Sequence, residues 1–259
     1  MVNVDNFMIL NSTFRGQGYS GTALELVNTT AQIVNCTFSS NRNGKTEYFF
    51  SNYYSYSRQV GGAIIANHSN VSISHSIFVN NGAYYIHYGG AIFAEQQSIL
   101  NIYTSVFINN SGLLGMLYSS SCNIRIEASK FSNNNALLDG VLNSYHSTIK
   151  IKSNDSEFHN SSVYYYDSGI VTMENGSMAT VEQNLFKGNN GSAISCDNSS
   201  ITIKTNGFYD NFGDNEMLRI QGCIMCMIQD VKVYNNSLGI FMRDSICRIN
   251  ASEFKHNVG

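Results

Sequence analysis

The chain has 259 residues, of which 43% are hydrophobic and only 13% are charged, and its net charge is −3. This charge gives no electrostatic footprint for nucleic acid, and no apolar run of about 18 residues is present that would span a membrane. Asparagine and serine, 34 of each, take the place of charged residues, and the chain contains no proline. No cofactor is implied.

The first ten residues, MVNVDNFMIL, alternate like a strand and lack the basic region of a secretory signal peptide. They have the character of the middle of a repeat. We therefore expect residues 1–259 to form one domain that is either a segment of a longer chain or a protomer of a filament.

A short motif, Phe-x-x-Asn, recurs from one end of the chain to the other. Complete copies occur at Phe38–Asn41, Phe78–Asn81, Phe107–Asn110, Phe131–Asn134, Phe186–Asn189, Phe208–Asn211 and Phe254–Asn257, and degenerate copies at Phe14–Gln17, Phe158–Ser161 and Val233–Asn236. A small residue and an apolar pair precede most copies by 15–18 residues, as in Gly90-Ala91-Ile92. An alternating pair such as Leu100 and Ile102 lies between the two landmarks, which indicates a strand with one buried face.

These ten units predict an all-β fold, a single right-handed parallel β-helix. We expect about ten coils of roughly 22–29 residues, with three short strands in each coil. No unit can bury its apolar face alone, and stacking the units solves this problem. The repeated Phe should point inward and stack, the Asn should adopt αL geometry at a turn and form a ladder, and the Gly should permit close backbone approach.

One long insert, residues 42–60, follows the second anchor and is rich in tyrosine. Equivalent turns of a solenoid stack along one edge, so aromatic residues of three turns should converge there. Either these rings pack on one another, or they form an interaction surface for proteins or sugars. The residues of this candidate surface are Tyr48, Phe49, Phe50, Tyr53, Tyr54, Tyr56, Tyr84, Tyr85, Tyr88, Tyr164, Tyr165 and Tyr166.

The repeat resembles that of the polymorphic outer membrane proteins of chlamydiae and similar surface proteins. Gly61–Ile64 with Phe78–Asn81, and Gly89–Ile92 with Phe107–Asn110, match the Gly-Gly-Ala-Ile and Phe-x-x-Asn signature in full. The resemblance implies a β-helix of the pectin-lyase-like superfold, exposed at a cell surface and used for adhesion or as a stalk.

Thirteen Asn-x-Ser/Thr sequons are present, which is the pattern of a glycosylated, secreted protein. Asn-rich turns beside Ser-rich strands also generate such triplets without glycosylation. Those in turns, such as Asn28, Asn67, Asn175 and Asn198, are the best candidates. The full set is Asn11, Asn28, Asn35, Asn67, Asn70, Asn109, Asn154, Asn160, Asn175, Asn190, Asn198, Asn235 and Asn250.

The six cysteines match no metal motif. Cys226 and Cys247 each lie seven residues before their anchor, at a position held elsewhere by inward Val, Leu or Ile. They should be stacked neighbours in adjacent coils, either as buried thiols or as a disulfide between coils.

Acidic residues are scattered, and the nearest to a cluster are Asp210, Asp214 and Glu216 in one turn. Glycoside hydrolysis requires carboxylates that face each other across a groove. We therefore expect no catalytic or metal site, but an extracellular or cell-surface structural protein. Its expected partners are copies of itself, assembled end to end or laterally, or cell-surface proteins and glycans. The alternative is a polysaccharide lyase or hydrolase, which three convergent carboxylates would favour.

Overall fold

The computed structural model describes residues 6–16, 22–43, 62–83, 89–159, 161–163, 169–214 and 216–258, without the side chains of 43, 83 and 153–157. Every regular element in these residues is a β-strand, and the strands pair in parallel with the coils before and after them. The predicted all-β parallel solenoid is confirmed.

The largest sheet has 18 strands and takes a middle strand and an anchor strand from each coil. The middle strands are Phe7–Leu10, Thr30–Val34, Asn70–Ser74, Ile99–Tyr103, Asn123–Glu127, Ser200–Lys204, Met225–Gln229 and Cys247–Asn250. The anchor strands are Thr13–Arg15, Thr37–Ser39, Ile77–Val79, Val106–Ile108, Lys130–Ser132, Gly207–Tyr209, Lys232–Tyr234 and Glu253–Lys255. In two coils both run together, as Thr148–His159 and Met178–Lys187.

The second sheet has nine strands in the described part of the chain, close to the ten coils predicted. They are Leu24–Val27, Ile64–Asn67, Ile92–Glu95, Leu117–Ser120, Leu142–Tyr145, Gly169–Glu174, Ser192–Asp197, Leu218–Gln221 and Ile240–Arg243. A third sheet has five strands of two residues each: Arg42–Asn43, Gly82–Ala83, Ser111–Gly112, Asn135–Ala136 and Ser162–Val163.

The anchor phenylalanines form one continuous column inside the coil. Eight rings from Phe14 to Phe208 stack with centroids 4.6–5.0 Å apart and nearly parallel planes. The spacing follows from the separation of neighbouring strands, since each ring projects from the same position of consecutive coils. The column ends at Val233, where the motif is degenerate.

The anchor asparagines form a buried ladder beside this column. Asn110 Nδ2 donates to Phe78 O (2.9 Å) and to Asn134 Oδ1 (3.0 Å), and Asn110 Oδ1 accepts from the backbone and side-chain nitrogens of Asn81. The ladder is as predicted, but the predicted αL geometry of the anchor Asn is wrong. The positive φ falls one residue earlier, as at Asn80 (55°), Asn109 (53°) and Asn133 (54°). The exposed residue makes the turn because the ladder residue must point inward.

The repeated glycines line the start of the second-sheet strands and permit the close approach that was predicted. A Cβ on Gly62 would lie 2.0 Å from the carbonyl oxygen of Gly90, and one on Gly140 would lie 2.6 Å from that of Gly169. The five coils that carry a glycine at this position, from Gly62 to Gly169, therefore fit together only without a side chain there.

Candidate functional site

The aromatic surface predicted from the sequence lies outside the described residues. Only residues 42 and 43 of the insert 42–60 are described, and they form a short strand. None of the twelve aromatic residues proposed for the surface is described, so that surface stays a prediction.

The outer face of the second sheet is shielded from solvent. Asn143, Thr172 and Ser195 point outward on consecutive strands, yet each is at most 2% exposed. Farther along the same column, Phe93 and Tyr118 stack with ring centroids 5.5 Å apart. Outward polar groups in such a setting are desolvated, which is a property of binding and catalytic sites.

Three half-buried carboxylates lie within electrostatic reach of one another at this face, centred on Glu174. Glu174 and Asp197 are direct partners in neighbouring parallel strands, so their backbones lie one strand spacing apart. Asp139 precedes the glycine that opens the adjacent coil, and its charge acts on Glu174. Like charges placed side by side in this way oppose each other's ionisation.

Burial and mutual repulsion raise the pKa values of carboxyl groups in this cluster. Burial, then the charges of Asp139 and Asp197, raises the pKa of Glu174 to about 7. Burial also raises the pKa of Asp139 to about 6, against the opposing effect of the Asn143 amide. The Asn143 amide faces Asp139 but does not reach hydrogen-bond geometry, and one carboxylate oxygen of Asp197 is also buried without a partner. The cluster therefore combines a carboxyl that is part protonated at neutrality with unsatisfied polar atoms.

The cations and titratable groups near the cluster are engaged elsewhere or lie at its margin. Arg219, one coil farther on, contacts Glu216 Oε2 (3.7 Å) and donates to Gln221 Oε1 (3.2 Å). Tyr145 pairs in register with Glu174 from the preceding strand of the sheet. Its ring packs edge-on against the ring of His146 at the corner of the coil.

We predict that stability falls as the pH rises from about 4.5 to about 7, where Glu174 ionises. The folded protein holds a proton on this carboxyl that the unfolded chain has already lost, so raising the pH favours unfolding. The loss should be about 1 kcal/mol, because solvent screens part of the charge. Urea denaturation at several pH values measures it.

Glu174→Gln should remove the Glu174 part of this pH dependence, above about pH 6, because the amide carries no titrating proton. The part below about pH 6, where burial raises the pKa of Asp139, should remain. Glu182→Gln is the matched control, since Glu182 lies on the largest sheet and pairs with Lys152 (3.5 Å). An unchanged slope in Glu174→Gln would contradict the assignment.

Sequence reasoning did not find this cluster, and the acidic turn that it did single out does not converge. Asp210 lies 3.9 Å from Lys187, and Glu216 pairs with Arg219 instead. Among the described residues, no group of three or more His, Cys, Asp or Glu is arranged to hold a metal ion.

Two disulfides join three consecutive coils. Cys226 and Cys247 are register partners with Cα atoms 4.4 Å apart, and their sulfur atoms are bonded. Of the two predicted alternatives, buried thiols or a disulfide between coils, the structure contains the disulfide. Cys196 is bonded to Cys223 across 6.8 Å between Cα atoms, a link that sequence reasoning missed. Cys36 and Cys122 are free and buried, and burial raises the pKa of the Cys122 thiol to about 11.

Most sequon asparagines stand at the corners of the coil. Seven of them turn the chain with φ between 46° and 54°, and nine are exposed: Asn11, Asn28, Asn35, Asn70, Asn109, Asn175, Asn198, Asn235 and Asn250. Asn67 and Asn190 are half-buried, and Asn67 Nδ2, the atom that would carry a glycan, donates to Glu95 Oε1 (3.1 Å). Asn160 and the Asn154 side chain lie outside the described residues.

The described residues contain no helix that is long and apolar enough to cross a bilayer. Comparison with solved structures finds PfbA, a surface adhesin of Streptococcus pneumoniae, at 10% identity and a TM-score of 0.35. That alignment covers 98% of this chain and 85% of the adhesin. No curated protein sequence matches the chain.

The family described as "Right handed beta helix region" matches residues 61–217, more than half of the sequence. Members of this family are right-handed, so the match indicates that the solenoid formed by the three sheets is right-handed. The chain therefore belongs to the right-handed β-helix family.

Proposed function

We propose that this chain is a non-catalytic, extracellular or cell-surface β-helix that serves as an adhesive or structural rod. The observation that carries the proposal is the pair of disulfides, Cys196–Cys223 and Cys226–Cys247, which clamp three coils together. Disulfides persist in oxidising compartments and are rare in the cytosol. The same proposal includes a relationship to the polymorphic outer membrane proteins, which the Gly-Gly-Ala-Ile and Phe-x-x-Asn repeat supports.

The proposal includes N-glycosylation at the exposed corners. Asn28, Asn175 and Asn198 project at one corner of the coil with their side chains in solvent. Asn175 and Asn198 stand in adjacent coils, about one strand spacing apart, so we expect crowding to favour one glycan of the two.

Intact-mass measurement of the secreted chain, with and without glycosidase, tests this part. We expect a mass loss on treatment. In denaturant, Cys36 and Cys122 should be alkylated without reduction, and the four bonded cysteines should add mass only after reduction. Identical masses before and after glycosidase would contradict glycosylation. Alkylation of these four cysteines without reduction would contradict the oxidised clamp and, with it, the extracellular location.

End-to-end assembly is the third part. Most described coils offer the next one the same backbone groups and ladder atoms, as in the Asn81–Asn110–Asn134 series, and Ser161 replaces the Asn in one coil. An open strand edge of this kind is a template for another chain. Negative-stain images should show fibres one coil wide, and discrete short rods at all concentrations would contradict end-to-end growth.

The convergent carboxylates favour a second candidate, a polysaccharide lyase or hydrolase. The charges of Asp139 and Asp197 act on Glu174, and a half-buried carboxyl whose pKa is about 7 can act as a general acid. A panel of acidic and neutral polysaccharides, assayed for new reducing ends and for unsaturated products, distinguishes the candidates. Product formation that Glu174→Gln abolishes and Glu182→Gln preserves would establish the enzyme and overturn the non-catalytic proposal.

A further inference from the structure

Three methionines lie together on the outer face of the largest sheet. Met225 and Met227 point outward from one middle strand, at the first and third positions of Met225–Gln229. Met178 holds the first position two coils earlier, and Ser200 is the register partner that separates it from Met225. The side chains of Met178, Met225 and Met227 are 58%, 64% and 40% exposed, so a ligand from solution can reach them.

The cysteine between the first two methionines does not belong to this outward group. Cys226 points inward, is buried, and is bonded to Cys247 in the next coil. The segment Met225-Cys226-Met227 therefore presents two thioethers and no thiol at its outer face.

The strand geometry sets the distance between these two thioethers. Met225 and Met227 have Cα atoms about 6.6 Å apart, from a rise of about 3.3 Å per residue. Two sulfur atoms on one metal ion lie no more than about 4.6 Å apart if each metal–sulfur bond is about 2.3 Å, as for zinc. Each side chain has to lean by only about 1 Å to meet this limit, which its three rotatable bonds permit.

Met178 lies farther away, at two strand spacings or about 9.6 Å from Met225. Ser200, between them, has a short side chain that does not fill the space above the sheet. A lean of about 2.5 Å by each methionine brings the two sulfur atoms within the same limit. Met178 is therefore placed as a third and weaker ligand.

We propose that Met225 and Met227, assisted by Met178, bind a soft monovalent metal ion, Cu(I). Thioethers are soft ligands that select Cu(I), whereas Cu(II), Mg²⁺ and Ca²⁺ prefer nitrogen or oxygen ligands. The register partners of the pair in the preceding coil, Ser200 and Thr202, carry no carboxylate that would favour a harder ion. The site goes beyond the adhesive or structural role and does not rest on it.

Two residues of the next coil adjust the setting of the pair. Ile246 accepts a backbone hydrogen bond from Cys226 and flanks Met225, where its apolar side chain limits the access of water to the ion. Arg248 pairs in register with Met227, and its positive charge opposes the binding of a cation. We therefore expect Arg248→Gln to tighten Cu(I) binding.

Methyl NMR identifies the ligands directly. The chain has nine methionines, and ¹³C-methyl labelling gives a resonance for each. The probe is Ag(I), a soft monovalent ion that does not change its oxidation state in the experiment. At equimolar Ag(I) we expect the methyl signals of Met178, Met225 and Met227 to shift. Met242, which is 43% exposed on the second sheet, is the internal control and should not shift.

The two free thiols are removed first, because thiols also bind soft ions. Cys36 and Cys122 stand at corner positions that serine holds in the next coil, where Ser76 and Ser147 accept from their backbone nitrogens. Serine therefore suits both positions. Cys36→Ser with Cys122→Ser is the background for every measurement.

Competition with a chromophoric Cu(I) chelator, in the presence of ascorbate, measures the affinity. Met225→Leu with Met227→Leu should weaken Cu(I) binding at least about tenfold, because even the loss of an outer-shell partner has an effect of this size. Met178→Leu should weaken it less, and Met242→Leu is the matched control. Leucine conserves volume and apolar character, so unchanged melting curves establish that the variants fold.

Four results would overturn the proposal. They are the absence of any methyl shift at equimolar Ag(I), a shift at Met242 as large as that at Met225, Cu(I) binding that survives both leucine substitutions, and the loss of all binding in the thiol-free background. None of these results bears on whether the rod is secreted or adhesive.

Discussion

Replacement of Phe107 by alanine is expected to lower the free energy of unfolding by about 3–5 kcal/mol. The Phe107 side chain is fully buried, and its ring stacks on Phe78 at 4.6 Å and on Phe131 at 4.9 Å. Alanine leaves a cavity that two neighbouring coils must share. Because the strands on both sides are fixed by the Asn ladder, the wall of the cavity cannot collapse. Urea denaturation followed by far-ultraviolet circular dichroism measures the change.

Phe254→Ala is the matched control for this substitution. Phe254 belongs to the same motif, but it is 39% exposed and its register partner is Val233 instead of another ring. We expect it to cost less than half as much as Phe107→Ala. Equal losses for the two variants would show that the stacked column adds nothing beyond ordinary apolar contact.

Gly90→Ala is expected to destabilise the chain by about 3 kcal/mol or more, or to prevent folding. A Cβ at Gly90 would lie 1.8 Å from the carbonyl oxygen of Ser111 and 2.4 Å from its carbonyl carbon. Both atoms belong to the backbone of the next coil, which cannot move without breaking the register of the short strands. Thermal melting and the yield of folded protein both report the effect.

Gly239→Ala provides the control, because a Cβ built there has no heavy atom within 4 Å. It also removes backbone freedom from the unfolded chain, which stabilises a protein slightly where the site is open. We therefore expect a neutral or slightly stabilising effect. A tolerated Gly90→Ala would mean that the coils can separate locally, and the close-packed glycine column would then lose its structural role.

The fold was predictable because inward positions repeat and the residues that fill them have few alternatives. Phe107 and Asn110 recur in phase with Leu100 and Ile102, and the stacking that this implies is found in the structure. The glycine column was predictable for the same reason. The error over αL geometry arose because the motif fixes which residue is repeated but not which one of two neighbours bends the chain.

The carboxylate cluster was not predictable in the same way. Glu174 and Asp197 are separated by a full coil, and their pairing depends on the register of two strands whose outward residues vary freely. Asp139 acts on Glu174 from a loop, and a loop has no repeating pattern from which its position could be predicted. The bond between Cys196 and Cys223 was missed because it joins an inward strand position to a corner position of the next coil. Alignment of the units on their anchors would have shown Glu174 and Asp197 as near equivalents.

The Asn ladder has a consequence for how such a chain can change in length. Each rung presents to the next the same donor and acceptor that it receives, so Asn110 could follow Asn41 as readily as Asn81. Coils that carry an Asn rung are therefore interchangeable at this ladder. Duplication or loss of one repeat leaves two rungs that still recognise each other, and genes for this fold can grow or shorten by recombination between repeats without rebuilding the core.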